Sequence, residues 1–214
     1  MYQPAHHRED RLDLQHALIR AFPLGTLVTL GPSGIVPNHV PFLVDPEASK
    51  LGTLRAHVAR ANPLWREHDP AQEALVTFQG AERYITPSWY ETKRQTGKVV
   101  PTWNYAVVHA YGLMKPIEDE TWLRRQLDDL TRFNEAARPE PWRVSDAPES
   151  FVGAMARGIV GLEIEIARVE GKWKVSQNRP EADRRGVVDG LRSEADAAAQ
   201  DMADLVAVFG GAID

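Results

Sequence analysis

The sequence contains no cysteine, which excludes a disulfide framework and a thiolate metal site. A cysteine-free chain fits the reducing cytoplasm but is compatible with other compartments as well. The chain also lacks a glycine-rich phosphate loop and a dinucleotide-binding fingerprint. A phosphate would therefore have to be held by side chains and by the amides of loops or helix starts.

Long apolar runs and an excess of basic residues are also absent. No window reaches the roughly 18 uncharged apolar residues of a membrane span, and the N-terminal segment has no apolar run like that of a signal peptide. The net charge of −5 gives no global attraction to nucleic acid. The pairs Arg124-Arg125 and Arg184-Arg185 are flanked by acids, which is typical of solvated helix faces. We expect a soluble cytoplasmic protein with no membrane partner.

The order of the elements indicates the fold class. The 214 residues suit one domain, or one domain with an appended helical piece. Apolar periodicity and turn signals predict short strands first, with helices at the ends and in one insertion. This order favours an α+β, mainly β protein, a β-barrel with peripheral helices, over a βαβ arrangement. The predicted strands are 25–30, 35–44, 53–58, a hairpin of 74–79 and 83–86 around Gly80, 102–114, 159–169 and, after a turn at Glu170-Gly171, 172–175. The predicted helices are 10–21, a short one after Asn62-Pro63, 119–137, 148–157, a helical segment beyond Pro180 with a break around Gly190, and a last helix of 193–209.

The stretch from Tyr84 to Tyr111 combines aromatic, hydroxyl, amide and cationic side chains at high density. Two Trp-Tyr clusters, SWY and TWNY, flank the basic segment from Lys93 to Lys98. Stacking and edge hydrogen bonds from such residues would hold a flat heterocycle, and Lys or Arg would hold a phosphate. The same composition is equally compatible with two strands whose aromatic residues fill a core.

Other catalytic or ligand-binding motifs have little support in the sequence. Arg60 lies beside a predicted helix start at Asn62-Pro63, which suits a phosphate, but a plain capped helix explains the same residues. His39, His57 and His109 fall on three separate predicted strands, where a single histidine is more often a hydrogen-bonded structural residue. No HExxH pattern or GxSxG elbow occurs. We therefore expect no metal site and no catalytic nucleophile.

A family resemblance emerges from motifs that run in order along nearly the whole chain, weakening only after about Gly190. Each motif is short, but their joint order is specific, and together they resemble the PaiB-type family, usually called FMN-binding negative transcriptional regulators. The motifs are MYQPAHH, PLGTLVT, NHVPFLVD, HVARANPLW, VTFQGAERYITPSWY, GKVVPTWNYAVVHAYG, WRVSDAP, IVGLEIEI and GKWKVSQNR.

The resemblance implies a split β-barrel like that of pyridoxamine-phosphate oxidases and flavin reductases. It also implies a homodimer that binds FMN at the subunit interface. On this basis we expect residues 1–190 to form the FMN-binding domain with a helical insertion near 118–157, and residues 191–214 to form a C-terminal helix packed on it. The family name implies repression of transcription, historically of sporulation and degradative-enzyme genes in Gram-positive bacteria. DNA as a partner follows from that name alone, because neither the charge nor a motif supports it.

The chemistry within the matched motifs gives a set of expected FMN contacts. One wall would come from the segments 57–62 and 88–90, while Lys98 and the segment 102–104 would approach the ribityl phosphate or the ring edge. Arg60 is the first candidate for the phosphate and Lys98 the second, and the segment 176–179 would come from the partner chain. The predicted cofactor-binding residues are His57, Arg60, Asn62, Ser88, Trp89, Tyr90, Lys98, Thr102, Trp103, Asn104, Ser176, Gln177 and Arg179.

Three functions from different classes remain open at this point. The first is a flavin-binding regulator, and the second is an FMN-dependent oxidoreductase of the flavin reductase kind, in which the cofactor carries the chemistry. The third is a module that binds haem or another planar ligand, with His39, His57 or His109 as an iron ligand. Consumption of NAD(P)H in the presence of FMN would identify the second, and a Soret band on haem addition would identify the third.

Overall fold

The strands follow the alternation of side chains that a half-buried sheet requires. In the strand Leu24–Gly31, Leu27 is fully buried while Leu24 and Leu30 are exposed, because odd and even residues of a strand point to opposite faces. The structure is a computed structural model of the protein, which describes residues 1–211. The last three residues of the predicted C-terminal segment, 212–214, lie outside the described part.

Strands and helices occur in the mixed order that the sequence predicts. The strands are β1 Arg8–Glu9, β2 Leu24–Gly31, β3 Gly34–Pro41, β4 Leu43–Asp45, β5 Thr53–Ala59, β6 Ala74–Ile85, β7 Thr102–Gly112, β8 Met114–Ile117, β9 Ile159–Glu165 and β10 Arg168–Lys174. The α-helices are α1 Leu12–Ala21, α2 Leu64–Glu67, α3 Glu91–Thr96, α4 Glu120–Glu135, α5 Glu149–Arg157, α6 Glu181–Arg192 and α7 Ala197–Gly210.

Glycine explains three of the differences from the predicted elements. The predicted hairpin around Gly80 is wrong, because β6 runs through this residue without interruption. The predicted turn at Glu170-Gly171 is wrong in the same way, since both residues lie inside β10. Helix α6 continues through Gly190, and the break comes after Arg192. In each case the glycine resembles a turn signal in the sequence but occupies a regular element in the structure.

The first of two compact units contains Met1–Leu18, Gln79–Val108 and the chain from Glu170 onward. Its strands lie in the order β1-β10-β7-β6, and β1 pairs with β10 antiparallel, Arg8 opposite Lys172. Helices α6 and α7 pack on each other, and α6 also contacts α3 and the 3₁₀ turn Pro87–Trp89. Trp173, Val187, Leu191 and Met202 are buried here.

The second unit contains Ile19–Phe78 and His109–Val169. Within it β2 pairs with β3 and β6, and a four-stranded antiparallel sheet has the order β4-β5-β9-β8. Helix α4 packs on β5, β9 and α5. Asp119 begins this helix, because its carboxylate accepts the N–H of Trp122 at 2.7 Å as an N-cap. Within residues 1–211, no helix is both long and apolar enough to cross a membrane.

Candidate functional site

A buried polar pair in the first unit is the centre of the candidate site. Asn104 on β7 and Ser176, just after β10, are 1% and 4% exposed. The amide Nδ2 of Asn104 donates to Ser176 Oγ at 2.9 Å. Ser176 has a φ of 67°, a left-handed conformation that costs energy in a residue with a side chain and that clusters at functional sites. The backbone here is thus held in a strained form that aims a hydroxyl at a buried amide.

Two cations lie beside this pair. The ammonium group of Lys174 donates to Thr102 Oγ1 and to the backbone oxygen of Trp103. Burial lowers the pKa of Lys174 below its ordinary value of 10.5, and the positive charges of Lys172 and Arg179 lower it further. A bound anion would relieve both effects, because it supplies the opposite charge that favours the protonated amine.

These groups enclose a cavity of about 50 Å³. Its described lining contains two cations and no carboxylate, and it consists of Thr102, Asn104, Lys174, Ser176, Asn178 and Arg179. A volume of this size holds roughly three or four water molecules, which is comparable to the four oxygens of a phosphate group. We call it the cationic pocket. Its donors and charges suit a phosphate, and its size excludes an aromatic ring system.

Arg179 is positioned by an aromatic ring. Its guanidinium lies 4.7 Å from the ring centroid of Tyr90, within the range of a cation–π contact. Burial raises the pKa of Tyr90, while the charge of Arg179 acts in the opposite direction. Tyr90 is only 1% exposed, so it is a fixed support for the arginine.

Trp103, which lies between the lining residues Thr102 and Asn104 on β7, forms an exposed aromatic pair with Tyr84. Trp103 and Tyr84 are 52% and 46% exposed, and their ring centroids lie 6.1 Å apart in an edge-to-face arrangement. Lys174 contacts Thr102 in the pocket lining and the backbone oxygen of Trp103. The exposed rings of Trp103 and Tyr84 offer apolar surface to a flat ligand.

Trp89 has a packing role in this unit. A Cβ on Gly190 would lie 2.3 Å from its ring atom Cδ2, and a Cβ on Gly186 would lie 2.0 Å from its backbone oxygen. Trp89 is thus pressed against two glycines of α6. Of the two tryptophans in the SWY and TWNY clusters, Trp103 has the accessible ring.

Three further predicted residues of the first unit take part in local contacts. Gln177 Oε1 accepts the N–H of Val175 at 2.8 Å and lies 3.0 Å from His7 Nδ1. Ser88 Oγ accepts from the Lys93 ammonium at 3.1 Å. Lys98 is exposed. None of the three lines the cationic pocket as described.

The other three predicted residues belong to the second unit. The guanidinium of Arg60 donates to the backbone oxygens of Arg157 at 2.9 Å and Ile159 at 3.1 Å, and it pairs with Glu118. A phosphate would have to compete with these partners. Asn62 Oδ1 accepts the N–H of Leu64, the first residue of α2, at 3.0 Å, and Asn62 lines a separate cavity of about 150 Å³. Burial lowers the pKa of His57. The FMN contacts expected of these residues stay predictions.

Lys174, Asn178 and Tyr84 were not among the predicted residues. Lys174 could have been found, because Lys172 and Lys174 are two residues apart in a predicted strand and therefore share a face, with Ser176 next at the same spacing. Asn178 lies in the same GKWKVSQNR motif. The exposure of Tyr84 has no signal in the sequence, since an aromatic residue in a strand is usually buried.

Comparisons with known proteins identify relatives over the whole chain. A family model described as "Putative FMN-binding domain" matches residues 1–168. An uncharacterized protein of Emericella nidulans is 38% identical, with 96% of both chains covered. The "Protease synthase and sporulation protein PAI 2" of Bacillus subtilis is 29% identical, again with 96% of both chains covered. These matches confirm the resemblance that the motifs indicate.

A solved structure with a similar fold is the flavocytochrome Anf3 of Azotobacter vinelandii. It has a TM-score of 0.58 at 13% identity, covering 78% of this chain and 68% of that one. A likeness at this identity concerns the fold alone. Together with the two antiparallel sheets and their flanking helices, it confirms the predicted class, an α+β, mainly β split barrel.

Proposed function

The chain belongs to the family of FMN-binding domains, and on that premise we propose that it is a flavin-binding regulator whose FMN phosphate occupies the cationic pocket. FMN is the cofactor of this family. This assignment of the pocket rests on one observation: Lys174 and Arg179 both line a cavity of phosphate size, and the charge of Arg179 helps to lower the pKa of Lys174. Charge-assisted hydrogen bonds from such groups are the strong contacts to phosphate oxygens.

The residues of the first unit fit FMN in two parts. The pocket offers hydroxyl, amide, ammonium and guanidinium donors for the phosphate. The exposed rings of Trp103 and Tyr84 offer apolar surface for the isoalloxazine ring. When bound, FMN supplies the one- and two-electron chemistry of a flavin. The protein residues bind its charge, orient the ring and exclude water from the buried Asn104–Ser176 pair.

The test is a titration with FMN and with riboflavin, which lacks the phosphate. We expect the wild type to bind FMN with a flavin absorbance band, and Lys174→Gln or Arg179→Gln to weaken FMN at least about tenfold while leaving riboflavin binding almost unchanged. Arg94→Gln is the control, because Arg94 is exposed and, within residues 1–211, pairs only with its helix neighbour Glu91. Arg60→Gln tests the earlier candidate for the phosphate in the same assay.

Two results would contradict the proposal. Equal losses of FMN and riboflavin would mean that the two substitutions disturb the fold and that the pocket does not select the phosphate. FMN affinity unchanged in both variants would remove the pocket from the phosphate role. An Arg60→Gln loss specific to FMN would return that role to Arg60.

The regulatory role and the dimer are further parts of the proposal. The Bacillus subtilis relative carries sporulation in its name, which supports a regulator. The net charge of −5 gives no field for operator contact, so we propose an indirect role linked to flavin or a metabolite. The homodimer and the cytoplasmic location expected from the sequence stay predictions. Light scattering that finds a monomer at all concentrations would contradict the dimer.

A further inference from the structure

The helical insertion of the second unit contains a groove that the flavin site does not explain. It has a volume of about 450 Å³ and lies between the C-terminal half of α4 and the segment 141–145. This volume is within the range of small-molecule sites. The segment belongs to the WRVSDAP motif, which has no part in the cationic pocket. The groove is lined by Asp128, Thr131, Arg132, Glu135, Ala136, Pro141, Trp142, Arg143, Val144 and Ser145.

Backbone contacts hold the two walls of the groove together. Glu135 on α4 accepts the N–H of Trp142 at 3.1 Å. Asp146 accepts the N–H of Arg143 at 2.9 Å and so fixes the turn that follows. Both contacts use backbone donors, which leaves the side chains of Trp142 and Arg143 outside these bonds.

Two guanidinium groups, one on each wall, are available to a ligand. Arg132 on α4 is 74% exposed, and its ion pair is a long one of 3.6 Å to Asp129. Asp129 lies closer to Arg55, at 3.0 Å. Arg143 makes no ion pair within residues 1–211. Arginine binds carboxylates with two parallel hydrogen bonds, so this pair of cations selects an anion of that shape.

An aromatic surface and a single carboxylate complete the chemistry. Trp142 is 50% exposed, and its ring therefore presents apolar surface to the groove. Asp128 on α4 makes no ion pair within the described residues. Glu135 is engaged by Trp142 and Arg138. The charges that remain for a ligand are those of Arg143, Asp128 and Arg132, whose own ion pair is long.

We propose that this groove binds a small carboxylic acid that carries a flat apolar ring. The carboxylate would lie between Arg132 and Arg143, and the ring would lie against Trp142. Asp128 is placed to accept an ammonium group, which favours an aromatic amino acid over a simple aryl acid. The inference is independent of flavin binding, because no residue of the cationic pocket takes part.

The experiment measures binding by calorimetry with L-phenylalanine, with hydrocinnamate, which lacks the ammonium group, and with hydrocinnamamide, which lacks both charges. We expect the two acids to bind with dissociation constants below about 1 mM and the amide not to bind. Arg143→Gln, Arg132→Gln and Trp142→Ala should each weaken the acids about tenfold. Weaker binding of L-phenylalanine alone in Asp128→Asn would assign the ammonium contact.

The control is Arg125→Gln. Arg125 lies on the same helix, is 72% exposed and pairs with Asp129 at 3.7 Å. It therefore resembles Arg132 in exposure and in its ion-pair partner, but it does not line the groove. It should leave binding unchanged. Absence of binding by either acid to the wild type, or an equal loss in the Arg125 variant, would overturn the proposal. Thermal unfolding of each variant shows that the insertion remains folded.

Discussion

At the residue scale, the most unusual group of the second unit is Gln126 on α4. It is fully buried, and neither its amide nitrogen nor its amide oxygen has a hydrogen-bond partner within residues 1–211. Arg55 Nε and His57 Nδ1 on β5 are also buried without a partner. Arg55 reaches Asp129, one turn beyond Gln126, so these groups face the same helix. Buried polar groups are almost always hydrogen-bonded, so the unpaired amide of Gln126 is exceptional.

Replacing Gln126 with leucine tests whether the buried amide destabilises the protein. Because the buried amide lacks a partner within residues 1–211, Gln126→Leu removes a desolvation penalty, and we expect the free energy of unfolding in urea to rise by about 1–2 kcal/mol. Gln72→Leu, at an exposed position, should change it by less than about 0.5 kcal/mol. A fall of similar size in the Gln126 variant would contradict the prediction, and would show that bound water satisfies the amide.

At the element scale, glycines determine how closely α6 approaches its neighbours in the first unit. A glycine inside a helix normally costs up to about 1 kcal/mol relative to alanine. Gly186 and Gly190 lie in α6 despite this cost, and each lies where a Cβ would collide with Trp89. The missing side chains create the space into which Trp89 packs.

Replacing Gly190 tests this packing. Gly190→Ala should lower the midpoint of thermal unfolding although alanine favours the helix, because its Cβ would lie 2.3 Å from the indole ring; overpacking of this kind costs about 1–3 kcal/mol. Gly153→Ala in α5 is the matched control. Its Cβ would meet only the ends of the Arg124 and Arg157 side chains, at 3.4 and 3.6 Å, so stability should rise slightly. A stable Gly190 variant would mean that Trp89 can move away.

The same glycines show what could be predicted from the sequence. Helix α4 was predictable, because its apolar spacing and the Asp119 cap are local signals. The continuity of α6 through Gly190 and of β6 through Gly80 was not, since local propensity cannot tell a turn glycine from one chosen for close packing. For the candidate site, the motifs indicated Thr102, Asn104, Ser176 and Arg179, which line one cavity. The exposure of Trp103 and the hydrogen bonds that Arg60 donates to backbone oxygens depend on tertiary contacts, which no local sequence pattern records.

At the scale of the whole molecule, the cationic pocket is too small to enclose a flavin. Its volume of about 50 Å³ suits the phosphate, whereas cofactor sites bury most of the ligand surface. Trp103 and Tyr84 are about half exposed, and a flavin resting on them would remain open to solvent on one side. A second copy of the chain is the partner that the proposed dimer would supply to cover it.

If a second copy completes the site, FMN binding and dimerisation must be coupled. We expect saturating FMN to raise the thermal midpoint by an amount that grows with protein concentration, because mass action then favours the dimer that binds the ligand. Trp103→Ala should reduce both the FMN affinity and this dependence on concentration. Trp142→Ala is the matched control, since Trp142 is equally exposed but lies in the helical insertion, and it should change neither. A midpoint shift that is the same at all protein concentrations, measured by differential scanning fluorimetry with light scattering in parallel, would mean that one chain holds FMN alone.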